Sequence, residues 1–177
     1  ILARHQKDEK SAVDTQLSRY EVYDDLFPNR KDGVNAWVTI MRGCDKFCTF
    51  CIVPFTRGRE RSRSIKGIID EVEKAVSHGF SEITLLGQNV NSYNYDQKKF
   101  PELIDAVAKV NGVKRIRYTS PHPHDINEQL LEVMAKHTNV CNYIHLPLQS
   151  GSNRILKRMN RTYTKEHFIG LTEKIRS

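Results

Sequence analysis

The chain has 177 residues, of which 38% are hydrophobic and 28% charged, and its formal net charge is +7. This length allows one domain with a hydrophobic core, and the composition excludes collagen-like and wholly disordered proteins. No apolar run approaches the roughly 18 residues of a membrane-spanning helix, and the positive charge favours an acidic partner such as nucleic acid, although many basic proteins bind none.

The first 35 residues differ from the rest of the chain. Charged residues crowd the first ten positions, and turn formers such as Pro28 and Gly33 follow without a periodic apolar pattern. We interpret residues 1–35 as a linker that follows another domain. The chain begins with neither a methionine nor a secretory signal, so we expect it to be part of a longer protein.

From residue 36 onwards, short apolar runs alternate with segments of helical periodicity. Ser64 is a suitable N-cap and Gly79 a suitable stop for the first long helix, and Pro101 suits the first turn of the next one. The predicted strands are Ala36–Met41, Ile83–Leu86, Val113–Thr119 and Tyr143–Leu148. The predicted helices span residues 65–76, 100–107, 126–134, 153–159 and 168–175.

This alternation predicts an α/β fold with a parallel sheet, because parallel strands need helical crossovers. Residues 36–177 hold about four βα units, half the number in a closed eight-fold barrel, so we expect a partial, truncated (βα) barrel. Functional residues of such folds lie at the C-terminal ends of the strands. Here those ends are the loops 42–57, 87–95, 120–125 and 149–153.

The first of these loops carries three cysteines with the spacing Cys44-x3-Cys48-x2-Cys51. Three thiolates within eight residues can converge on one metal centre. Iron–sulfur clusters normally take four ligands, so three cysteines would leave one iron open. A zinc site completed by a histidine is the alternative. Cys141 could supply a fourth ligand, but a small buried thiol is the simpler interpretation.

Four stretches, in this order and spacing, resemble the methylthiotransferases of the radical S-adenosylmethionine (SAM) superfamily. They read GCDKFCTFCIVPFTRGRERSR, LLGQNVNSY, RYTSPHP and HLPLQSGSNRILKRMNRTY. The resemblance extends over residues 34–177 and is strongest to the tRNA-modifying branch of that family.

The resemblance implies that Cys44, Cys48 and Cys51 ligate a 4Fe-4S cluster and that SAM completes the open iron. One electron from the cluster would then cleave SAM to a 5′-deoxyadenosyl radical. The resemblance also implies that further residues bind SAM. The alternative interpretations are that Phe50 is an aromatic residue of the core, that residues 87–89 form an ordinary polar turn, and that the stretch following Gln149 is only the start of a helix. The residues implied to bind SAM are Phe50, Gly87, Gln88, Asn89, Gln149 and Ser150.

The resemblance also implies tRNA as the substrate and an electron donor of flavodoxin or ferredoxin type. Arginines alternate from Arg57 to Arg63, and in an extended segment this spacing would place all four on one side, as a phosphate-binding surface. A solvated surface paired with acidic residues is the alternative. The residues predicted to contact tRNA are Arg57, Arg59, Arg61, Arg63, His122 and Arg158.

The activity implied is methylthiolation of carbon 2 of an isopentenyl-adenosine beside the tRNA anticodon, in the cytoplasm. Phe47, Phe55 and Tyr93 are candidates for stacking on the target base. Alternative substrates are an aspartate of a ribosomal protein and threonylcarbamoyl-adenosine in tRNA. An alternative of another class is a zinc-bound RNA-binding module.

The family's second cluster domain, its RNA-binding barrel and the last βα units lie outside this sequence. We therefore expect the isolated chain to be inactive in methylthiolation.

Overall fold

The computed structural model describes residues 28–30 and 32–177, so most of the predicted linker lies outside the described residues. Two 3-10 turns, Val90–Ser92 and Pro123–Asp125, accompany the strands and helices. In chain order these are β1 (Asn35–Thr39), β2 (Met41–Arg42), α1 (Val53–Arg57), β3 (Arg61–Ser62), α2 (Ile65–Ser77), β4 (Glu82–Leu86), β5 (Asn94–Tyr95), β6 (Lys98–Lys99), α3 (Phe100–Ala108), β7 (Arg115–Tyr118), α4 (Glu128–Lys136), α5 (Asn153–Arg158) and α6 (Lys165–Arg176).

The centre of the fold is a parallel three-stranded sheet in the order β1-β4-β7. The register aligns Ala36 with Ile83 and Ile83 with Ile116, so apolar side chains of all three strands share one face. These three side chains are fully buried. Burial of each large aliphatic side chain contributes about 1.5–3 kcal/mol, and this layer fixes the strand ends that carry the functional loops.

Local signals in the sequence explain where the main helices begin and end. The Ser64 hydroxyl accepts a hydrogen bond from the Gly67 N–H at 3.0 Å and caps α2. The helix stops before Gly79, whose φ of +91° suits glycine. Asn127 caps α4 in the same way, since its side-chain oxygen accepts from the Leu130 N–H at 2.9 Å. Pro101 lies in the first turn of α3 as predicted.

The prediction of a fourth strand over Tyr143–Leu148 is wrong. The chain meets the edge of β7 earlier, through a single parallel bridge between Val140 and Ile116. The Ile116 N–H donates to the Asn139 carbonyl at 2.7 Å, and the Cys141 N–H donates to the Ile116 carbonyl at 3.0 Å. Residues 142–150 then form neither helix nor strand. Pro147 has no N–H to donate to a ladder, so this stretch could not pair along its whole length.

The predicted fold class is confirmed, because helices connect the three parallel strands. Helix α2 packs on β1 and against α3, and α3 in turn packs against α4. Among residues 28–30 and 32–177, no helix combines the length and hydrophobicity that crossing a membrane requires.

Candidate functional site

The loops that follow β1, β4 and β7 meet at one edge of the sheet, as parallel strands require. The Gly43 N–H donates to the side-chain oxygen of Gln88 at 2.6 Å and joins the first loop to the second. Lys46 forms a 2.7 Å ion pair with Asp125, which joins the first loop to the third. Asn89 donates to the other oxygen of Asp125 at 2.8 Å. The three loops therefore form one connected polar structure.

The cysteines lie in the first of these loops, just before the short helix α1. Cys48 is buried and 8% exposed, whereas Cys44 and Cys51 are half-buried, and all three thiols are free. The Cys51 N–H donates to the Cys48 carbonyl at 2.9 Å, so these two residues form a tight turn. Burial raises the pKa of the Cys44 thiol, and the nearby charges of Glu60, Cys48 and Cys51 raise this pKa further.

The three cysteine sulfurs of this loop are suitable ligands for an iron–sulfur cluster. Three soft sulfur ligands come from one continuous loop, and the thiols are close enough for two of them to act on the pKa of the third. In the part of the chain that the structure describes, no three His, Cys, Asp or Glu side chains are arranged to bind a metal ion as they stand.

The C-terminal end of α5 and the residues that follow it, residues 158–161, contact the cysteine loop; we call them the clasp segment. Thr49 donates to two of its carbonyls, from its N–H to Met159 at 3.1 Å and from its hydroxyl to Arg158 at 3.0 Å. The Asn160 side chain donates to the Phe47 carbonyl at 2.9 Å. The sequence contained one signal for this role, a polar run of residues between two helices.

Arg161 brings a positive charge to the cysteines. Its Nη1 donates to the Cys48 sulfur at 3.3 Å, and its guanidinium lies over the Tyr163 ring, 5.1 Å from the centroid. The Tyr163 hydroxyl accepts from Nε of Arg161 at 3.2 Å and donates to the Leu148 carbonyl at 2.8 Å, just before the fourth predicted loop. No local pattern in the sequence predicts the contact between Arg161 and Cys48, because the two residues are 113 positions apart.

Two buried nitrogens near Tyr163 have no hydrogen-bond partner among the described residues, Nη2 of Arg161 and Nε2 of His122. The His122 ring lies 5.6 Å from the Tyr163 ring and is 6% exposed. Burial and the charge of Arg161 lower the pKa of His122 to about 3, so this imidazole is neutral at physiological pH. Buried polar groups are normally hydrogen-bonded, so these two nitrogens need a partner such as a polar ligand or an ordered water.

The residues predicted to bind a cofactor after β4 are all near the cysteine loop. Gly87 packs so tightly that an added Cβ would lie 2.7 Å from the Met41 side chain. Gln88 holds Gly43, as described above. Asn89 is 2% exposed, and its oxygen accepts from the His122 N–H at 3.2 Å, so its side chain connects loops. Their roles toward a cofactor stay predictions.

The other predicted cofactor residues are more open. Phe50 is 55% exposed and lies between the second and third cysteines. Gln149 is exposed and has a left-handed backbone, with φ of +69°. The Ser150 hydroxyl accepts from the Ser152 N–H at 3.2 Å, which is the turn that precedes α5.

The four alternating arginines do not share one exposed side. Only Arg61–Ser62 is a strand, and Arg57 ends α1, so the extended geometry that period-2 spacing requires is absent there. Arg63 is 4% exposed and forms a 2.6 Å ion pair with Glu71. Its predicted tRNA contact is therefore incompatible with this structure. Arg57 and Arg59 are exposed and Arg61 is half-buried.

The two other residues predicted to contact tRNA, Arg158 and His122, differ in their exposure. Arg158 is exposed on the last turn of α5, next to the cysteine loop. His122 is buried, so it cannot reach a surface-bound RNA from its present position. Of the three aromatic candidates, Tyr93 is buried with its hydroxyl donating to the Arg63 carbonyl at 2.6 Å, whereas Phe47 and Phe55 are exposed.

Gly43 gives a direct test of the loop geometry. Its φ is +78°, and an added Cβ would lie 2.1 Å from the Arg59 carbonyl oxygen. We expect Gly43→Ala to destabilise the fold by about 1–3 kcal/mol from the backbone conformation alone, with the clash adding to that cost. Urea denaturation measures this loss. Gly151→Ala is the matched control, because an added Cβ there meets open space; equal stability of the two variants would contradict the loop geometry.

The chain is similar in sequence to known proteins. The radical SAM superfamily profile matches residues 38–177. A tRNA-2-methylthio-N(6)-dimethylallyladenosine synthase of Acetivibrio thermocellus is 51% identical over 176 residues, covering 94% of this chain and 37% of the relative. The enzyme of the same name from Carboxydothermus hydrogenoformans is 46% identical, covering 100% of this chain and 41% of the relative. The chain thus spans about two-fifths of the length of these relatives.

Solved structures agree on the fold. The radical S-adenosylmethionine methyltransferase TsrM from Kitasatospora setae superposes with a TM-score of 0.65 at 19% identity, covering 93% of this chain and 33% of TsrM. The cobalamin-dependent enzyme OxsB superposes with a TM-score of 0.61 at 17% identity, over 76% of this chain and 21% of OxsB. The matched residues include the cysteine loop, β4, β7 and the clasp segment, and the chain therefore belongs to the radical SAM superfamily.

Proposed function

We propose that the enzyme containing this chain methylthiolates carbon 2 of isopentenyl-adenosine, also called dimethylallyl-adenosine, next to the anticodon of tRNA. The observation that carries this proposal is the three-cysteine loop at the C-terminal end of β1, in a chain 46–51% identical to enzymes named for that reaction. A tRNA substrate also agrees with the net charge of +7. The proposed location is the cytoplasm, where tRNA is modified.

In this proposal Cys44, Cys48 and Cys51 hold a 4Fe-4S cluster with one open iron. The cluster and SAM together supply a 5′-deoxyadenosyl radical when both are bound, with electrons from a flavodoxin- or ferredoxin-type donor. The protein's own contribution is to orient the ligands. The link from Gly43 to Gln88 and the clasp segment both restrain the loop that carries the thiols.

The polar edge around the cysteines supplies the proposed SAM site. Buried groups without partners, Nη2 of Arg161 and Nε2 of His122, lie beside Tyr163 and would have to be satisfied by a ligand or by water. Since the pKa of His122 is lowered to about 3, it offers a neutral imidazole to such a ligand. The residues proposed to line the SAM site are Phe50, Gly87, Gln88, Asn89, Gln149 and Ser150.

The proposed tRNA-binding surface contains fewer residues than the sequence predicted. Arg57, Arg59 and Arg158 are exposed, and Arg61 is half-buried. Phosphate contacts of exposed arginines give affinity that depends on salt and little on sequence. Arg63 and His122 are excluded from this surface by their burial.

The proposal is tested by deleting the gene in its own organism and analysing tRNA nucleosides by mass spectrometry. Loss of 2-methylthio-isopentenyl-adenosine with accumulation of isopentenyl-adenosine is expected, and re-expression should restore the modified nucleoside. Unchanged methylthio-isopentenyl-adenosine in a cell without a second copy would refute it. Loss of methylthio-threonylcarbamoyl-adenosine, or of a methylthio-aspartate in a ribosomal protein, would assign one of the alternative substrates instead.

A further inference from the structure

Two phenylalanines of the cysteine loop remain on the surface. Phe55 is 67% exposed and Phe47 is 41% exposed. Their ring centroids are 6.4 Å apart and the rings are almost perpendicular, at 85°. The Arg59 guanidinium carbon lies 5.6 Å from the Phe47 centroid. We call these three side chains the Phe47–Phe55–Arg59 platform.

The platform is held outward by contacts that are part of the fold. The Phe47 backbone is left-handed, with φ of +47°, which is uncommon for a bulky aromatic residue. Its carbonyl accepts the 2.9 Å hydrogen bond from Asn160 in the clasp segment. Arg59 is fixed by a bidentate contact with Asp45, at 2.6 and 3.2 Å. The aromatic rings are therefore presented by a structured support.

Positive charge surrounds the platform. Arg57 lies two residues after Phe55, at the C-terminal end of α1, and is exposed. Residues 153–161, which reach the same loop through Thr49, contain four basic and no acidic side chains. Asp45 offsets the charge of Arg59, and Glu60 accepts from the Asp45 N–H at 3.2 Å, so the surplus positive charge comes from Arg57 and residues 153–161. Charge complementarity thus favours a polyanion as the partner of this apolar surface.

Aromatic rings and a guanidinium plane bordered by phosphate-binding charges match single-stranded nucleic acid. Unpaired bases stack on phenylalanine rings and on arginine planes, whereas the bases of a duplex already stack on one another and are not accessible. We infer that the Phe47–Phe55–Arg59 platform stacks an unpaired base of the tRNA anticodon loop. This inference rests on the proposed tRNA substrate and adds the place where the loop of that tRNA would bind.

The test uses the full-length protein and a synthetic anticodon stem-loop, with affinity measured by fluorescence anisotropy at several salt concentrations. Phe55→Leu keeps an apolar side chain but removes the ring, and we expect about tenfold weaker binding. Phe55→Tyr keeps the ring and should bind like the wild type. The salt dependence should be unchanged in both variants, whereas Arg57→Ala should reduce its slope by about 0.7.

Ile52→Ala is the matched control, because Ile52 is 65% exposed in the same loop and has no ring. It should bind the stem-loop like the wild type, and the Phe55 and Ile52 variants should bind a blunt RNA duplex as tightly as the wild type does. Wild-type affinity of Phe55→Leu would overturn the inference. A lower melting temperature of Phe55→Leu with unchanged affinity would also overturn it, because the rings would then be covered by another part of the protein.

These outcomes are separate from a failure of the proposed function. Stacking is read from the affinity of the stem-loop, whereas the function is read from the nucleosides of the deletion strain. A strain with unchanged methylthio-isopentenyl-adenosine would refute the function even if Phe55→Leu weakened binding of the stem-loop. Normal affinity of Phe55→Leu in a protein whose deletion removes the nucleoside would refute only the stacking inference.

Discussion

Cys48→Ala in the full-length protein is expected to abolish SAM cleavage, with at least about a thousandfold loss of 5′-deoxyadenosine formation. Cys48 is the most buried of the three thiols and the one that accepts a hydrogen bond from Arg161. Without it the loop retains two sulfur ligands, fewer than a cluster with a single open iron requires. The measurement is 5′-deoxyadenosine production after anaerobic reconstitution with a strong reductant, together with iron and sulfide analysis.

Cys141→Ala is the matched control for this experiment. Cys141 lies at the edge of β7, where its backbone rather than its thiol makes the contact with Ile116. This variant should reconstitute and cleave SAM like the wild type. If the wild-type protein contained about one zinc and no labile sulfide, the cluster proposal would be wrong, and a zinc-bound RNA-binding module would remain.

Glu71→Ala should destabilise the fold by about 3–5 kcal/mol, the usual cost of removing one partner from a buried ion pair. Glu71 is 1% exposed on α2 and pairs with Arg63 at 2.6 Å and Arg30 at 2.5 Å. The substitution leaves the Arg63 charge buried without a carboxylate partner, although Arg63 still donates to the Thr39 carbonyl at 2.7 Å and to the Gly67 carbonyl at 3.5 Å. Urea denaturation of the purified protein measures the change.

Asp70→Ala, one residue earlier on the same helix, controls for the loss of a carboxylate from α2. Its partner Lys66 is 84% exposed, so their pair is screened by water and contributes little. We expect its unfolding midpoint to stay close to that of the wild type. A midpoint of Glu71→Ala equal to that of Asp70→Ala would show that the buried pair does not hold α2 against the sheet.

Much of the fold could be predicted from the sequence because its signals are local. The apolar spacing along α2, the Ser64 cap and the glycine after its end all act within a few residues. The cysteine loop could also be predicted from the sequence, because its three cysteines lie within eight residues of one another. The meeting of the loops followed from parallel strands, which place their C-terminal ends at one edge.

The errors concern contacts that no local sequence pattern encodes. The alternating arginines suggested one exposed side, but Arg63 turns inward because Glu71 on α2 offers a buried carboxylate. The apolar residues after Tyr143 suggested a strand, but the edge of β7 was already paired with residues 139–141. The contact between Arg161 and Cys48 joins residues 113 positions apart, and no local pattern encodes it.

The clasp segment has a consequence for how the protein is made. Asn160 and Phe47 are 113 residues apart, so the cysteine loop emerges from the ribosome long before the segment that fixes it. At about 5–20 residues per second, this interval lasts roughly 6–23 seconds. During that time the three thiols are translated but not yet supported on the clasp side. Delivery of iron and sulfide by the cell's assembly machinery is therefore expected to succeed only after residue 161 has left the exit tunnel, and the nascent thiols need protection from oxidation until then.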